Sequence, residues 1–147
     1  MRKACLSTLT ATLLLSGCAP AAQDTPLSGQ TWQVVALHTS PEVPGALPAD
    51  AAGKAQLRVS GSSLTATTGC APLRAKVELT AETLEFEQVE VGDTGECFGG
   101  SRYVHNSLTG LFEPGARFDI RMFGEREALL TRAGEELERP SIRMMAL

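Results

Sequence analysis

The strongest constraint on the fold is a two-residue period that returns along most of the chain. Ala55, Leu57 and Val59 alternate with Gln56, Arg58 and Ser60, and Ala75, Val77 and Leu79 alternate with Lys76 and Glu78. Successive side chains of an extended strand point to opposite faces, so each run has one apolar and one wet face. Gly61-Ser62 separates the run 54–60 from Ser63–Thr68, where Leu64 and Ala66 face inward and Thr65 and Thr67 outward. That is the signature of a hairpin. Further strand-like runs span 31–37, 83–91, 116–122, 127–131 and 140–145. Short strands of this kind bury their apolar faces only by pairing around a shared core. The expected fold is α+β and predominantly antiparallel β, a curved or barrel-like sheet of about eight strands packed with one helix.

Three details refine this reading. In the run 83–91, Leu84 and Phe86 share one face whereas Val89 and Val91 fall on the other, so a β-bulge is expected near Glu87-Gln88. The helix follows Gly99-Gly100, with Ser101 as its N-cap and Glu113-Pro114-Gly115 as its stop. Val104, Leu108, Leu111 and Phe112 form its apolar stripe, which leaves Arg102, His105, Asn106 and Thr109 on the solvent side. Pro140 and Arg143 mark the last strand as an edge. Trp32 fills the core, and Val35, Leu37, Phe123 and Met145 are apolar residues expected on outer faces, where a partner would touch them.

The first residues read as an address rather than as part of the domain. Arg2 and Lys3 precede an apolar run, Ala4–Leu15, too short to span a bilayer. Leu15-Ser16-Gly17-Cys18 resembles a bacterial lipobox, in which the cysteine becomes a lipidated N-terminus. An ordinary secretory signal cut near Ala19-Pro20-Ala21 would export the protein as well. The expected organisation is a lipoprotein signal peptide at 1–17, a lipidated Cys18 with a flexible tether to residue 30, and a folded domain at 31–147. Residues 19–30 are rich in Ala, Pro, Ser and Gly and reach at most about 40 Å when extended.

Cysteine usage agrees with export. Of four cysteines, Cys5 leaves with the signal and Cys18 takes the lipid, so Cys70 and Cys97 remain as a pair in an oxidising compartment. Their disulfide closes a loop of 27 residues. The rival reading, a metal site completed by His38 or His105, lacks ligand spacing, so no metal and no cofactor is expected. The chain holds 13 basic and 17 acidic residues; losing Arg2 and Lys3 leaves 11 against 17, a net of −6. That balance argues against nucleic acid and against docking on anionic lipid through charge. Attachment to the bacterial cell membrane or outer membrane is expected through the lipid.

No Gly-x-Ser-x-Gly, His-Glu-x-x-His or phosphate loop is present. Asp93-Thr94-Gly95 matches the aspartic-protease tripeptide, but Gly92 before it and Glu96 after it suit a plain turn. No catalytic residue is therefore expected. The leading expectation is a non-enzymatic, lipid-anchored envelope domain that binds an envelope protein or maintains the envelope under stress. The alternative is a carrier of a small apolar ligand held in a cavity between sheet and helix.

Placed in order, these residues resemble the META/HslJ-type domains of bacterial envelope lipoproteins. The likeness runs from Leu27-x-Gly29-x-x-Trp32 through Thr68-Gly69-Cys70, Leu84-Glu85-Phe86, Cys97 and the helix ending in Leu111-Phe112 to the last hairpin strands. It implies a compact antiparallel sheet around one helix and a link to envelope stress, secretion and drug-resistance phenotypes. It implies no common catalytic residues. Ala71 stands where the family usually has asparagine, and Asp93-Thr94-Gly95-Glu96-Cys97 where it has Thr-x-Met-Ala-Cys. If that asparagine serves turn geometry or a common activity, this member shapes the turn differently or lacks the activity.

Overall fold

The computed structural model describes residues 25–147. The expected signal peptide, the expected lipidation site Cys18 and most of the expected tether lie outside the described residues. Eight strands follow one another: β1 (Thr31–His38), β2 (Ala55–Ser60), β3 (Ser63–Thr68), β4 (Pro72–Leu79), β5 (Thr83–Val91), β6 (Arg117–Met122), β7 (Glu127–Arg132) and β8 (Ser141–Ala146). One helix, α1 (Gly99–Leu111), is inserted between β5 and β6. Each strand pairs antiparallel with the next, and β8 returns to β1, closing an up-and-down barrel. The barrel-like sheet and its helix are thus as expected, although one helix among eight strands justifies the α+β label only loosely.

Closure overturns one expectation. β8 is not an edge: Ile142 faces Leu37 on one side and Leu130 on the other. Pro140 lies just before the first paired residue, so its missing N–H costs no ladder bond. Arg143 stays outside, its guanidinium paired with Glu127.

Two bulges set the phase of the core. In β4–β5, Lys76 faces Gln88 but Val77 faces Phe86, so Glu87 is the extra residue, as the slip in hydrophobic phase predicts. In β1 the register shifts between Val34 and Ala36. That shift turns Leu37 inward, where it is buried, rather than outward as expected. Val35 and Ala36 are left half-buried.

An eight-stranded barrel is just wide enough for side chains to fill, and here they do. Phe86 and Phe112 stack with centroids 4.7 Å apart, and Phe118 meets both edge-on at 5.9 and 5.8 Å. Trp32, Leu57, Leu64, Leu84, Leu130, Ile142 and Met144 complete the interior. The Trp32 indole N–H donates to the Leu27 carbonyl at 3.0 Å. Leu27 itself is fully buried, and the Gly29 N–H bonds the Val59 carbonyl. The domain therefore begins before residue 31: the last part of the expected tether packs on the barrel, because one leucine among its Pro, Ser and Gly residues plugs the mouth.

The barrel has two unlike ends. At the entry end lie residues 25–30, the hairpins at 60–63, 79–83 and 122–127, and the finish of β8. At the helix end lie α1, the β3–β4 turn and the 133–140 loop. The side chain of Arg132 joins the helix to the wall. It donates to the Leu111 carbonyl at 2.8 Å, pairs with Glu113 and lies over the Phe118 ring. A cation bonded to the last helical carbonyls also complements the helix dipole.

Candidate protein-binding surface

The start of α1 differs from expectation. Phe98, not Ser101, occupies the N-cap position, and no side chain of the helix itself caps it. The cap comes from the β1–β2 connection: Asp50 Oδ2 accepts from the Gly100 N–H at 2.8 Å. Ser101 lies inside the helix, buried, donating its hydroxyl to the Asp50 carbonyl and accepting from Lys54 Nζ at 3.3 Å. A Cβ at position 100 would overlap Pro48 and Asp50, so glycine is needed there for the loop to approach.

His105 is the second correction. It is only 7% exposed, and its Nδ1 lies 2.7 Å from the Thr68 hydroxyl. The helix face explains it: His105 precedes Leu108 by three residues and Phe112 by seven, so it shares their stripe. Thr68 in turn lies two residues past Ala66, on the inward side of β3. Its Oγ1 also accepts from the Ala71 N–H at 3.1 Å and lies 3.1 Å from the Ala71 carbonyl, which organises the turn. Continuing the alternation of Leu64 and Ala66 by one step places Thr68 inside as well. Among the described residues, every buried side-chain N or O atom has a hydrogen-bond partner.

Burial holds the His105 pKa below the ordinary imidazole value of about 6.5, and the Arg102 guanidinium adds repulsion. The unfolded chain therefore binds this proton first as pH falls. The stability that neutral His105 contributes is present above about 6.5 and is lost as pH drops from there toward the lowered native value. Denaturation midpoints measured between about pH 5 and 7.5 are expected to fall toward acid, with a shallower slope in His105→Gln. Equal slopes in the two proteins would show that His105 does not carry this dependence.

The turn organised by Thr68 also holds the disulfide. Cys70 is bonded to Cys97, with Cα atoms 5.7 Å apart. The bond ties the β3–β4 turn to the segment that leads into α1. Asp93 of that segment is exposed, and no group of three or more His, Cys, Asp or Glu side chains is placed to hold a metal ion among the described residues. His38 is exposed at the rim of a surface cleft of about 420 Å³ between the β1–β2 and β7–β8 connections. His38 and His105 are thus on separate features, one at the surface cleft and one buried against Thr68.

One stretch of the barrel wall is incomplete. β6 pairs with β5 only over Thr83–Glu85, and Phe86 then bonds Ala116 and Gly115. From Glu87 to Val91 the side of β5 away from β4 makes no backbone hydrogen bond among the described residues. The Gly92 N–H donates to the Pro72 carbonyl, so by antiparallel alternation Glu90 and Gln88 face β4. The N–H and C=O groups of Val89 and Val91 then point away from it. Val91 is 44% exposed, and beside it Pro72, Arg74, Glu90 and Gly92 line a groove of about 260 Å³. Exposed Phe98 and Tyr103 lie at the same end of the barrel. Sequence patterning did not reveal this edge, because it arises from where β6 begins and not from any residue in β5.

Of the apolar residues expected on outer faces, Phe123 and Met145 are exposed, and Leu37 is not. No family model matches the chain, and no curated protein does. One solved structure does match. It is the NMR structure of a protein from Burkholderia xenovorans, with a TM-score of 0.62 over 100% of this chain and 99% of that one. Identity is 13%, so the likeness is one of fold.

Proposed function

We propose that this chain is a lipid-anchored, non-enzymatic domain of the bacterial envelope that holds a protein partner by strand addition at β5. The META/HslJ-type resemblance and the lipobox at Cys18 support the envelope half of the reading. The observation that carries the binding half is the open segment Glu87–Val91 in an otherwise closed barrel. Unpaired strand groups at a surface are a template for an extended segment of another chain, with backbone bonds giving affinity and adjacent side-chain pockets giving selectivity. Val91, 44% exposed at that edge, offers an incoming segment an apolar contact. The barrel interior holds packed aromatic and aliphatic side chains, so a carrier role would require displacing them.

A photo-crosslinking amino acid at exposed position 90, in cells producing the full chain, is expected to capture one discrete envelope protein. Val91→Pro removes an outward N–H without touching the β4 ladder, and its pyrrolidine ring suits an edge strand. That change is expected to abolish the adduct while leaving the unfolding midpoint nearly unchanged. Persistence of the same adduct in the proline variant would rule out strand addition as the mode of binding.

A further inference from the structure

The anchor and the barrel together fix an orientation, an inference that rests on lipidation at Cys18. Six residues, 19–24, separate Cys18 from Thr25, the first described position. Fully extended, the link from Cys18 to Thr25 spans at most about 25 Å, comparable to the height of a barrel built from strands of six to nine residues. The tether therefore holds the entry end near the bilayer, and the helix end reaches lipid only if the tether runs the full length of the wall.

The entry end carries an exposed apolar group. Phe123, at the β6–β7 hairpin, is 47% exposed, and Met145, near the finish of β8, is 40% exposed. Leu147 beside it is exposed as well. Arg126 donates to the Ala146 carbonyl at 3.0 Å, and the Ala146 N–H bonds the Arg126 carbonyl, so hairpin and strand end are held together. The Arg121 guanidinium lies over the Phe123 ring, 5.4 Å from its centre. An aromatic ring with a guanidinium beside it suits the boundary between acyl chains and headgroups, where the charge stays wet and the ring does not. Glu82 and Glu125 lie at the same end, and the chain is acidic overall. The surface that fits is therefore a zwitterionic bilayer, entered by apolar contact rather than by charge.

We infer that the barrel stands on the membrane through its β6–β7 hairpin, with Phe123 and Met145 in the lipid interface. α1, the disulfide and the open segment of β5 then face away from the bilayer, where a partner approaches freely.

The test uses the full-length lipidated protein in vesicles of phosphatidylcholine and phosphatidylethanolamine. With Cys70 and Cys97 joined and Cys18 lipidated, a new cysteine is the free thiol for an environment-sensitive fluorophore. Phe123→Cys reports the entry end, and Leu137→Cys, in the 133–140 loop, reports the helix end. Brominated acyl chains are expected to remove most of the emission at position 123 and little at 137, with Trp32 emission unchanged as a check on the fold. If both variants float with the vesicles and neither is quenched, the anchor reading survives and the orientation is overturned. Stronger quenching at 137 overturns it in favour of the inverted arrangement. Failure to float removes the anchor reading, and the orientation falls with it.

Discussion

Replacing Phe86 by alanine is expected to lower the unfolding free energy by about 3–5 kcal/mol. Phe86 is completely buried, stacked on Phe112 and in edge contact with Phe118. The loss includes the transfer free energy of the ring, a cavity in a closed interior that collapses poorly, and about 0.5–1.5 kcal/mol from each aromatic pairing. Phe112 directly follows α1, so its loosened stacking also weakens the seat of the helix on the barrel. Such a change consumes much of the stability of a domain this size. Denaturant unfolding followed by the single tryptophan, Trp32, measures it. Phe98→Ala, at an exposed position, is the control and is expected to fall within about 0.5 kcal/mol of the parent. A loss at Phe86 as small as that of the control would mean that the barrel interior is not packed as described.

The contrast between the two bulges shows what the sequence makes legible. In β5 the inward phase moves from Leu84 and Phe86 to Val89, and the polar residues between them make the slip visible. In β1 both phases are apolar: Trp32, Val34 and Ala36 on one, Val35 and Leu37 on the other. An unbroken alternation fits that run as well as the bulged one, so Leu37 is misplaced by pattern alone. The choice is made by β8, which pairs with β1 across more than a hundred residues of chain. The same long-range pairing removes the edge that Pro140 and Arg143 suggest, since a solvated outer face of a closed barrel carries the same residue types as a true edge.

The candidate surface was less legible than the fold. The cysteine pair follows from counting once export to an oxidising compartment is expected. His105 and Thr68 each sit on an inward face that the periodicities already define, and both were missed because polar residues are ordinarily assigned to solvent. Their mutual hydrogen bond makes burial affordable, and that bond joins residues 37 positions apart. The open segment of β5 had no signal at all, being defined by the absence of a neighbour.

Removal of the disulfide, as Cys70→Ala with Cys97→Ala, is expected to cost about 3–4 kcal/mol, the loop-closure value for 27 residues. Most of that term acts on the unfolded chain, which gains freedom once the cross-link is gone. Part of it is local, because the bond secures the segment before α1 to the β3–β4 turn, next to the Thr68–His105 contact. Hydrogen exchange separates the two contributions. A purely unfolded-state effect lowers the protection of the slowest barrel amides by the full change in global stability and leaves the helix seated. A local effect exposes amides of α1 through openings that do not unfold β6, β7 and β8. Under a local effect the contacts of Arg132 with the Leu111 carbonyl and Glu113 persist, so the C-terminal turn of the helix stays protected while its first turn does not. Uniform loss across helix and barrel would assign the whole cost to the unfolded chain. An unchanged midpoint in the double variant would show that the capped barrel is already held by Asp50, Thr68 and the aromatic interior without the cross-link.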